Sequence, residues 1–339
     1  MRVTPFQNIL VIRLDRMGDL VCSTPFLRTL RNNTPGARIT LLLRPYTEEL
    51  FRGCSFSDEL WTWPAEKDKR ARTLREIKDK KFDLAIALSP VASAYRLAWQ
   101  SGATEKAGYV YKSRLMPLLL SSFMLTKRAV LDIEGALRRG EPIPHEVEQA
   151  MSLAPLLGLS SIEWEMDLCL SGEEKAFAAS FLYEKKSAQN SLIGLHLHAG
   201  WFRTGWTIED FHLLLREIKR RFPASSLLLT CGPQEKELAE TLAPLLEPGI
   251  ILAEALPPRR WAALIASCRA FVSLDTGATH LAAAFKVPTV CLFQPETFQL
   301  CSRQWAPWRV PCSILKLGSP EKNRGEIIEA LENLLPSKI

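Results

Sequence analysis

The feature that most restricts what this chain can fold into is an alternation of short apolar runs with helix-forming segments, which plays through once and then restarts. Residues 9–14, 38–43, 59–63 and 82–88 read as strands, with helices at 46–53, 68–80 and 92–99 between and after them. The rhythm resumes with strands at 191–198, 226–231, 249–253 and 270–274, separated by helices at 207–222, 234–246 and 259–267. Strands alternating with helices predict right-handed crossovers and parallel sheets covered on both faces. At 339 residues the chain exceeds the usual size of one domain. The expectation is an α/β protein with two doubly wound domains, 1–170 and 171–320, a helix closing the chain over 321–339, and a ligand cleft between the domains.

The pattern is looser elsewhere. Residues 145–157 read as one helix, 159–170 as a linking segment with a short strand, and 173–186 as a helix followed by the linker Ser187-Ala188-Gln189-Asn190. The stretch after Pro295 reads as loop through Trp308. Between Lys106 and Arg128 lies an apolar piece with Lys112 and Arg114 on one side and Lys127 and Arg128 on the other. It is either a core-facing helix with solvated ends or a peripheral contact with an anionic bilayer.

Charge sharpens that question. Residues 1–128 hold 22 Lys and Arg against 12 Asp and Glu, whereas the whole chain carries a net charge of only +6. Such a surplus points to an anionic partner for the first half, or to solvated basic helix faces. The eight cysteines include no C-x-x-C pair, and most sit in apolar runs where a free Cys behaves as a small hydrophobe, which fits a reducing, cytoplasmic setting. No leader is expected at the N-terminus and no segment approaches the roughly 20 apolar residues of a membrane helix.

Chemistry is expected where strands end. In Asp275-Thr276-Gly277-Ala278-Thr279-His280 a sharp turn leads into a helix, and the first N–H groups of a helix have no partners of their own. A phosphate there satisfies them and meets the positive end of the helix dipole, Gly277 lets the backbone approach, and Thr276 or Thr279 adds a hydroxyl. The plainer alternative is an N-cap at Asp275 or Thr276 with His280 bonded locally. A second loop, Arg13-Leu14-Asp15-Arg16-Met17-Gly18-Asp19, leaves the first strand, with Gly18 as the permissive residue and a helix beginning near Asp19. His196 and His198 share one strand face, but no third ligand accompanies them, so no metal is expected. No G-x-G-x-x-G follows the first strand, which disfavours a dinucleotide-dependent dehydrogenase.

Three stretches taken together, RLDRMGDLVCSTPFLRTLR, IGLHLHAGWFRTGWTIEDF and DTGATHLAAAFKVPTVCLF, closely resemble the lipopolysaccharide heptosyltransferases, glycosyltransferase family 9. The resemblance implies two Rossmann-like domains in the GT-B arrangement and inverting transfer of heptose, usually from ADP-heptose, to the lipid-linked, anionic inner core of lipopolysaccharide. It implies work at the cytoplasmic face of the inner membrane, without cofactor and without nucleic acid as a partner. Asp19 then takes the role of catalytic base, with N-cap of the following helix as its alternative. Asp275, Thr276, Gly277 and His280 match the donor-binding turn, where a protonated or hydrogen-bonding His280 would help the departing diphosphate. Arg13 and Arg16, with Gly18, are the candidates for acceptor contact.

Two departures stand out. The family's phosphate-binding Lys, two residues before the Trp at 206, is Thr204 here, with Arg203 beside it as the candidate replacement. Where relatives carry an acid for the donor nucleoside, Gln234 or Glu235 takes the place. These departures keep open a nucleotide-sugar-binding protein of weakened turnover, and a transferase acting on a protein or another polysaccharide.

Overall fold

A computed structural model describes residues 6–187 and 191–335. The chain divides into two units, Met1–Cys169 and Leu170–Ile339. In the first, β1 (Asn8–Ile12), β2 (Arg38–Leu43), β3 (Glu59–Thr62), β4 (Leu84–Ala87), β5 (Glu105–Tyr111) and β6 (Lys127–Leu131) form one sheet in the order β3-β2-β1-β4-β5-β6. In the second, β7 (Leu192–Leu197), β8 (Ser226–Cys231), β9 (Ile250–Glu254), β10 (Ala270–Leu274), β11 (Thr289–Phe293) and β12 (Cys312–Lys316) run in the order β12-β11-β10-β7-β8-β9. Every pairing is parallel.

The central strands are apolar at nearly every position because helices cover both faces. Ile9, Leu10, Val11 and Ile12 of β1 are all fully buried, each contributing roughly 1.5–3 kcal/mol relative to exposure. In each sheet the crossovers run one way and then reverse, between β1 and β4 in the first and between β7 and β10 in the second. The loops leaving those neighbouring strands diverge and open a crevice at the carboxyl ends, which is where such sheets bind ligands.

Several local expectations are corrected. The helix expected from Asp19 is two, Met17–Cys22 and Thr24–Asn33, because Pro25 begins a new first turn. The helix read over 145–157 is likewise two, Glu146–Met151 and Leu153–Leu156. Residues 159–170 hold no strand; they lie along the helix Thr24–Asn33, where Asn33 Nδ2 donates to Ser161 O (2.8 Å) and Thr24 Oγ1 accepts from Asp167 N (3.2 Å). The loose region 106–128 contains β5, the helix Leu115–Met124 and the start of β6. The stretch after Pro295 contains the helix Phe298–Gln304 and leads into β12.

The closing helix, Pro320–Leu334, buries Ile327, Ala330 and Leu331 in the core of the second unit, and Arg324 pairs with Asp210 at 3.3 Å. The linker residues Ala188, Gln189 and Asn190, the first five residues and the last four of 321–339 lie outside the described residues. Among the described residues no helix is long and apolar enough to cross a membrane.

Candidate functional site

At the carboxyl end of β1 the chain carries Arg13 into the interior. Its side chain is 1% exposed, and Nη2 donates to Glu146 Oε1 at 2.7 Å and to the Asp19 carbonyl at 2.9 Å. Nη1 donates to the Tyr109 hydroxyl at 2.8 Å and to the Leu88 carbonyl, and the Tyr109 hydroxyl in turn donates a hydrogen bond to Glu146 Oε1 at 2.8 Å. Burial opposes the Arg13 charge, but Tyr109, Asp15, Glu146 and Asp19 hold the guanidinium firmly protonated. Burial pushes the Glu146 carboxyl up, with Arg13 pulling the other way. Arg13 was expected to meet an acceptor; its fork is instead spent inside the fold, where it pins the backbone of Asp19.

Asp19 itself stands at the third position of the helix Met17–Cys22, so it is not the N-cap; that position is Arg16. Its Oδ2 accepts the Arg16 N–H at 3.2 Å, and its side chain is 21% exposed. A carboxylate so held is aimed but still reachable. Arg16 is exposed, whereas Gly18 is buried within the first helical turn and supplies no hinge.

Beside this loop lies a groove of about 920 Å³ that sequence reasoning missed. Asp15, Arg44, Tyr46, Trp63, Arg70 and Arg96 line it, contributed by the loops after β1, β2 and β3 and by three helices. The Tyr46 hydroxyl donates to the Asp15 carbonyl at 3.1 Å, and Arg44 Nε donates to the Leu14 carbonyl, tying the loops together. Arg70 donates to the Pro64 and Ala65 carbonyls at 2.9 and 2.8 Å and lies 5.8 Å from the Trp63 ring centroid. Three guanidinium groups beside an indole suit a carboxylated or phosphorylated sugar, since the fork matches oxyanions and the ring can carry the apolar face of a saccharide. The signal available in the sequence was positional: Arg44 and Trp63 directly follow parallel strands, as Arg13 follows β1.

In the second unit the crevice at β7 and β10 gathers three loops. After β10, Thr276 is the N-cap of the helix Gly277–Ala284, yet its side chain gives no hydrogen bond to the helix; its hydroxyl pairs with Ser273 Oγ at 3.1 Å. Thr279 turns its hydroxyl to the Leu274 carbonyl at 2.8 Å. The helix start is thus left without a side-chain cap, as an anion site requires. Asp275, Thr276 and Gly277 are half-buried, while His280 is 3% exposed. Burial lowers the His280 pKa to about 4, so the ring is neutral near pH 7 and the expectation of a protonated His280 is set aside.

After β7, the 3₁₀ turn Ala199–Thr204 is fixed from beneath. Trp201 is fully buried, its Nε1 donates to the His196 carbonyl at 3.1 Å, and its ring lies 5.0 Å from that of Trp206. Gly200 leaves little room for a side chain, because a Cβ there would stand 2.8 Å from Leu274 Cδ1 and 2.9 Å from His198 Nδ1 and would force those side chains to shift. Gly205 ends the turn in the left-handed region at φ 85°. The Thr204 hydroxyl points back to the Trp201 carbonyl at 3.4 Å, leaving exposed Arg203 as the cation of this turn.

After β8, Gln234 is exposed whereas Glu235 is buried, its Oε1 3.8 Å from His198 Nε2. His198 is lowered by burial, with Glu235 raising it and Arg203 lowering it further. His196 bonds Thr230 Oγ1 at 2.9 Å and packs against Trp261 with ring centroids 5.3 Å apart, and burial takes its pKa to about 3. The two histidines therefore sit in unlike environments, and among the described residues no group of three or more His, Cys, Asp or Glu could hold a metal ion.

Residues 70–331 match the family model described as glycosyltransferase family 9 (heptosyltransferase). The chain is 25% identical over 312 residues to lipopolysaccharide heptosyltransferase 3 of Escherichia coli K12, covering 86% of this chain and 82% of that protein. Its fold resembles the glycosyl transferase family 9 structure from Veillonella parvula, with a TM-score of 0.82 at 21% identity over 99% of this chain and 98% of that one. It also resembles heptosyltransferase WaaC of E. coli, solved with ADP, with a TM-score of 0.71 at 18% identity over 96% of this chain and 100% of that one. These likenesses extend across both six-stranded sheets.

Proposed function

The chain belongs to glycosyltransferase family 9, the heptosyltransferases, and from that premise we propose that this glycosyltransferase moves a heptose from ADP-heptose onto the anionic, lipid-linked inner core of lipopolysaccharide. The observation that carries the reading is Asp19, a partly exposed carboxylate held by the Arg16 N–H, with its backbone pinned from below by Arg13, beside a groove lined by three arginines.

In this reading Arg44, Arg70 and Arg96 hold the acid or phosphate groups of the acceptor saccharide and Trp63 carries its ring, with exposed Arg16 at the rim. Asp19 takes the proton of the attacking hydroxyl as its oxygen bonds to the anomeric carbon. The bond from that carbon to the diphosphate breaks with inversion, and ADP leaves with the electron pair. Within the second unit the N–H groups of Gly277 and Ala278, the Thr276 hydroxyl and the Arg203 guanidinium bind the donor's diphosphate. Neutral His280 acts only as a hydrogen-bonding group, Asp275 shapes the turn, and Gln234, the exposed member of its pair with Glu235, meets the nucleoside. The work takes place at the cytoplasmic face of the inner membrane.

The test is ADP release from ADP-heptose and a core acceptor by the purified protein. Asp19→Asn is expected to lower turnover by roughly 10²–10⁴-fold while calorimetry shows ADP binding unchanged. Near-full turnover in that variant would overturn the base assignment. Thr204 favours a second reading, a donor-binding protein of weak turnover, for which ADP binds but no product forms even with the unaltered chain.

A further inference from the structure

We propose that the outer face of the helix Leu115–Met124 docks the first unit onto an anionic lipid bilayer. Its outward residues are large and apolar: Leu115 is 78% exposed, Met116 64%, Leu119 57% and Phe123 76%. At spacings of one, four and eight residues they fall on one side of a helix. The opposite side serves the fold, where Leu118 and Met124 pack against the core of the first unit and Ser121 is buried. A surface helix ordinarily turns polar groups outward; this one carries no charged residue anywhere along LMPLLLSSFM.

The charge around the helix selects the occupant. Residues 106–128 contain five Lys or Arg and no Asp or Glu. Arg128 is braced on the helix itself, its Nη1 donating to the Leu118 carbonyl and to the Ser121 and Ser122 hydroxyls at 3.3, 3.3 and 3.1 Å. Arg114 lies 4.7 Å from the Tyr111 ring centroid and donates to the Pro90 carbonyl at 3.2 Å. Among the described residues neither lies within ion-pair distance of a carboxylate. The acids that do approach are Asp132, 3.8 Å from Lys112, Glu105, 3.6 Å from Lys127, and Glu134, which accepts from Ser113 at 2.6 Å.

An apolar stripe with uncompensated arginines at its ends fits an interface of acyl chains beneath anionic headgroups. A second copy of the chain fits it poorly, because symmetric pairing on this face would bring like charges together. The position is also apt: Pro90, held by Arg114, directly precedes Val91, which lines the arginine groove. This inference concerns where the protein works and stands apart from the identity of the sugar transferred.

The test is flotation of the full chain with vesicles of phosphatidylcholine alone and with 30% phosphatidylglycerol, a probe mixture of roughly physiological surface charge. Binding is expected to the anionic vesicles, to weaken with salt, and to fall at least about tenfold in Leu119→Ser/Phe123→Ser. Arg128→Gln is expected to weaken it about fivefold. Both variants should keep the wild-type melting temperature and ADP release with a delipidated, water-soluble acceptor. Equal binding to neutral vesicles, or undiminished binding by the double variant, would overturn the proposal. So would conversion of a dimer to a monomer by the same changes, which would assign the face to a second copy. Loss of ADP release with the soluble acceptor in the unaltered chain would count against the transferase reading and leave vesicle binding to be judged alone.

Discussion

His280 shows how burial rewrites a residue's chemistry. A histidine beside a phosphate turn reads as a cation in waiting, but at 3% exposure its pKa is held at about 4 by desolvation. The unfolded chain takes up a proton near pH 6.5 that the folded ring refuses, so His280 contributes stability above that value and loses it as the pH falls towards 4. The loss amounts to at most about 3 kcal/mol. Denaturant titrations are expected to show stability declining between pH 6.5 and 4, and declining less in His280→Gln; identical slopes would remove His280 from the account. The turn around it was legible because Asp275, Thr276 and Gly277 are neighbours in the chain. Arg13 was not: a charged residue at a strand end reads as surface, and Glu146, which lets it be buried, stands 133 residues away.

Coverage explains part of which elements were legible, although the edge strands β3 and β9 were read from the sequence as well. The buried strands β1, β2, β7, β8 and β10 announce themselves as unbroken apolar runs. The edge strands β6 and β12 alternate between exposed and partly buried positions and carry lysines, and β5 opens with Glu105 and Lys106, so none reads as a core strand. The apolar helix between β5 and β6 confused matters further, since composition cannot tell a stripe facing the core from one facing outward. Helix starts were easier. Thr207 caps the helix Ile208–Arg221 by accepting the Asp210 N–H at 3.2 Å, and Asp210 Oδ2 in turn accepts the Thr207 N–H at 3.0 Å. Thr207→Ala is expected to cost about 1 kcal/mol in denaturant unfolding, with Thr207→Asn close to neutral. A cost near zero for alanine would mean that the Asp210–Arg324 pair alone holds this end.

At the scale of the whole molecule, each sheet reverses its winding beside its first strand, and that reversal places Asp19 in one unit and the Gly277 helix start in the other at carboxyl strand ends. The parallel, doubly wound character of each sheet could be anticipated from alternation, whereas the arginine groove could not, because Arg44, Arg70 and Arg96 come from separate segments of the chain. The first unit is closed on itself by the Arg13–Glu146 pair. Glu146→Gln removes the nearest carboxylate of that buried cation, leaving Asp15 at 3.5 Å and Asp19 at 3.9 Å, and is expected to cost about 3 kcal/mol, lowering the unfolding midpoint, whereas replacing both residues by apolar ones of similar volume is expected to recover most of the loss. Midpoints that do not move in the single variant would show that Tyr109 and the Leu88 and Asp19 carbonyls suffice to hold Arg13.

The same pair also sets a clock. The strand that occupies the middle of the first sheet is made first, whereas the Glu146 carboxylate that pairs with Arg13 at its end is synthesised on the order of 10 s later at about 5–20 residues per second. Until then Arg13 has only Asp15 and Asp19 among its carboxylate neighbours, and the buried pair can close only once the helix Glu146–Met151 is present.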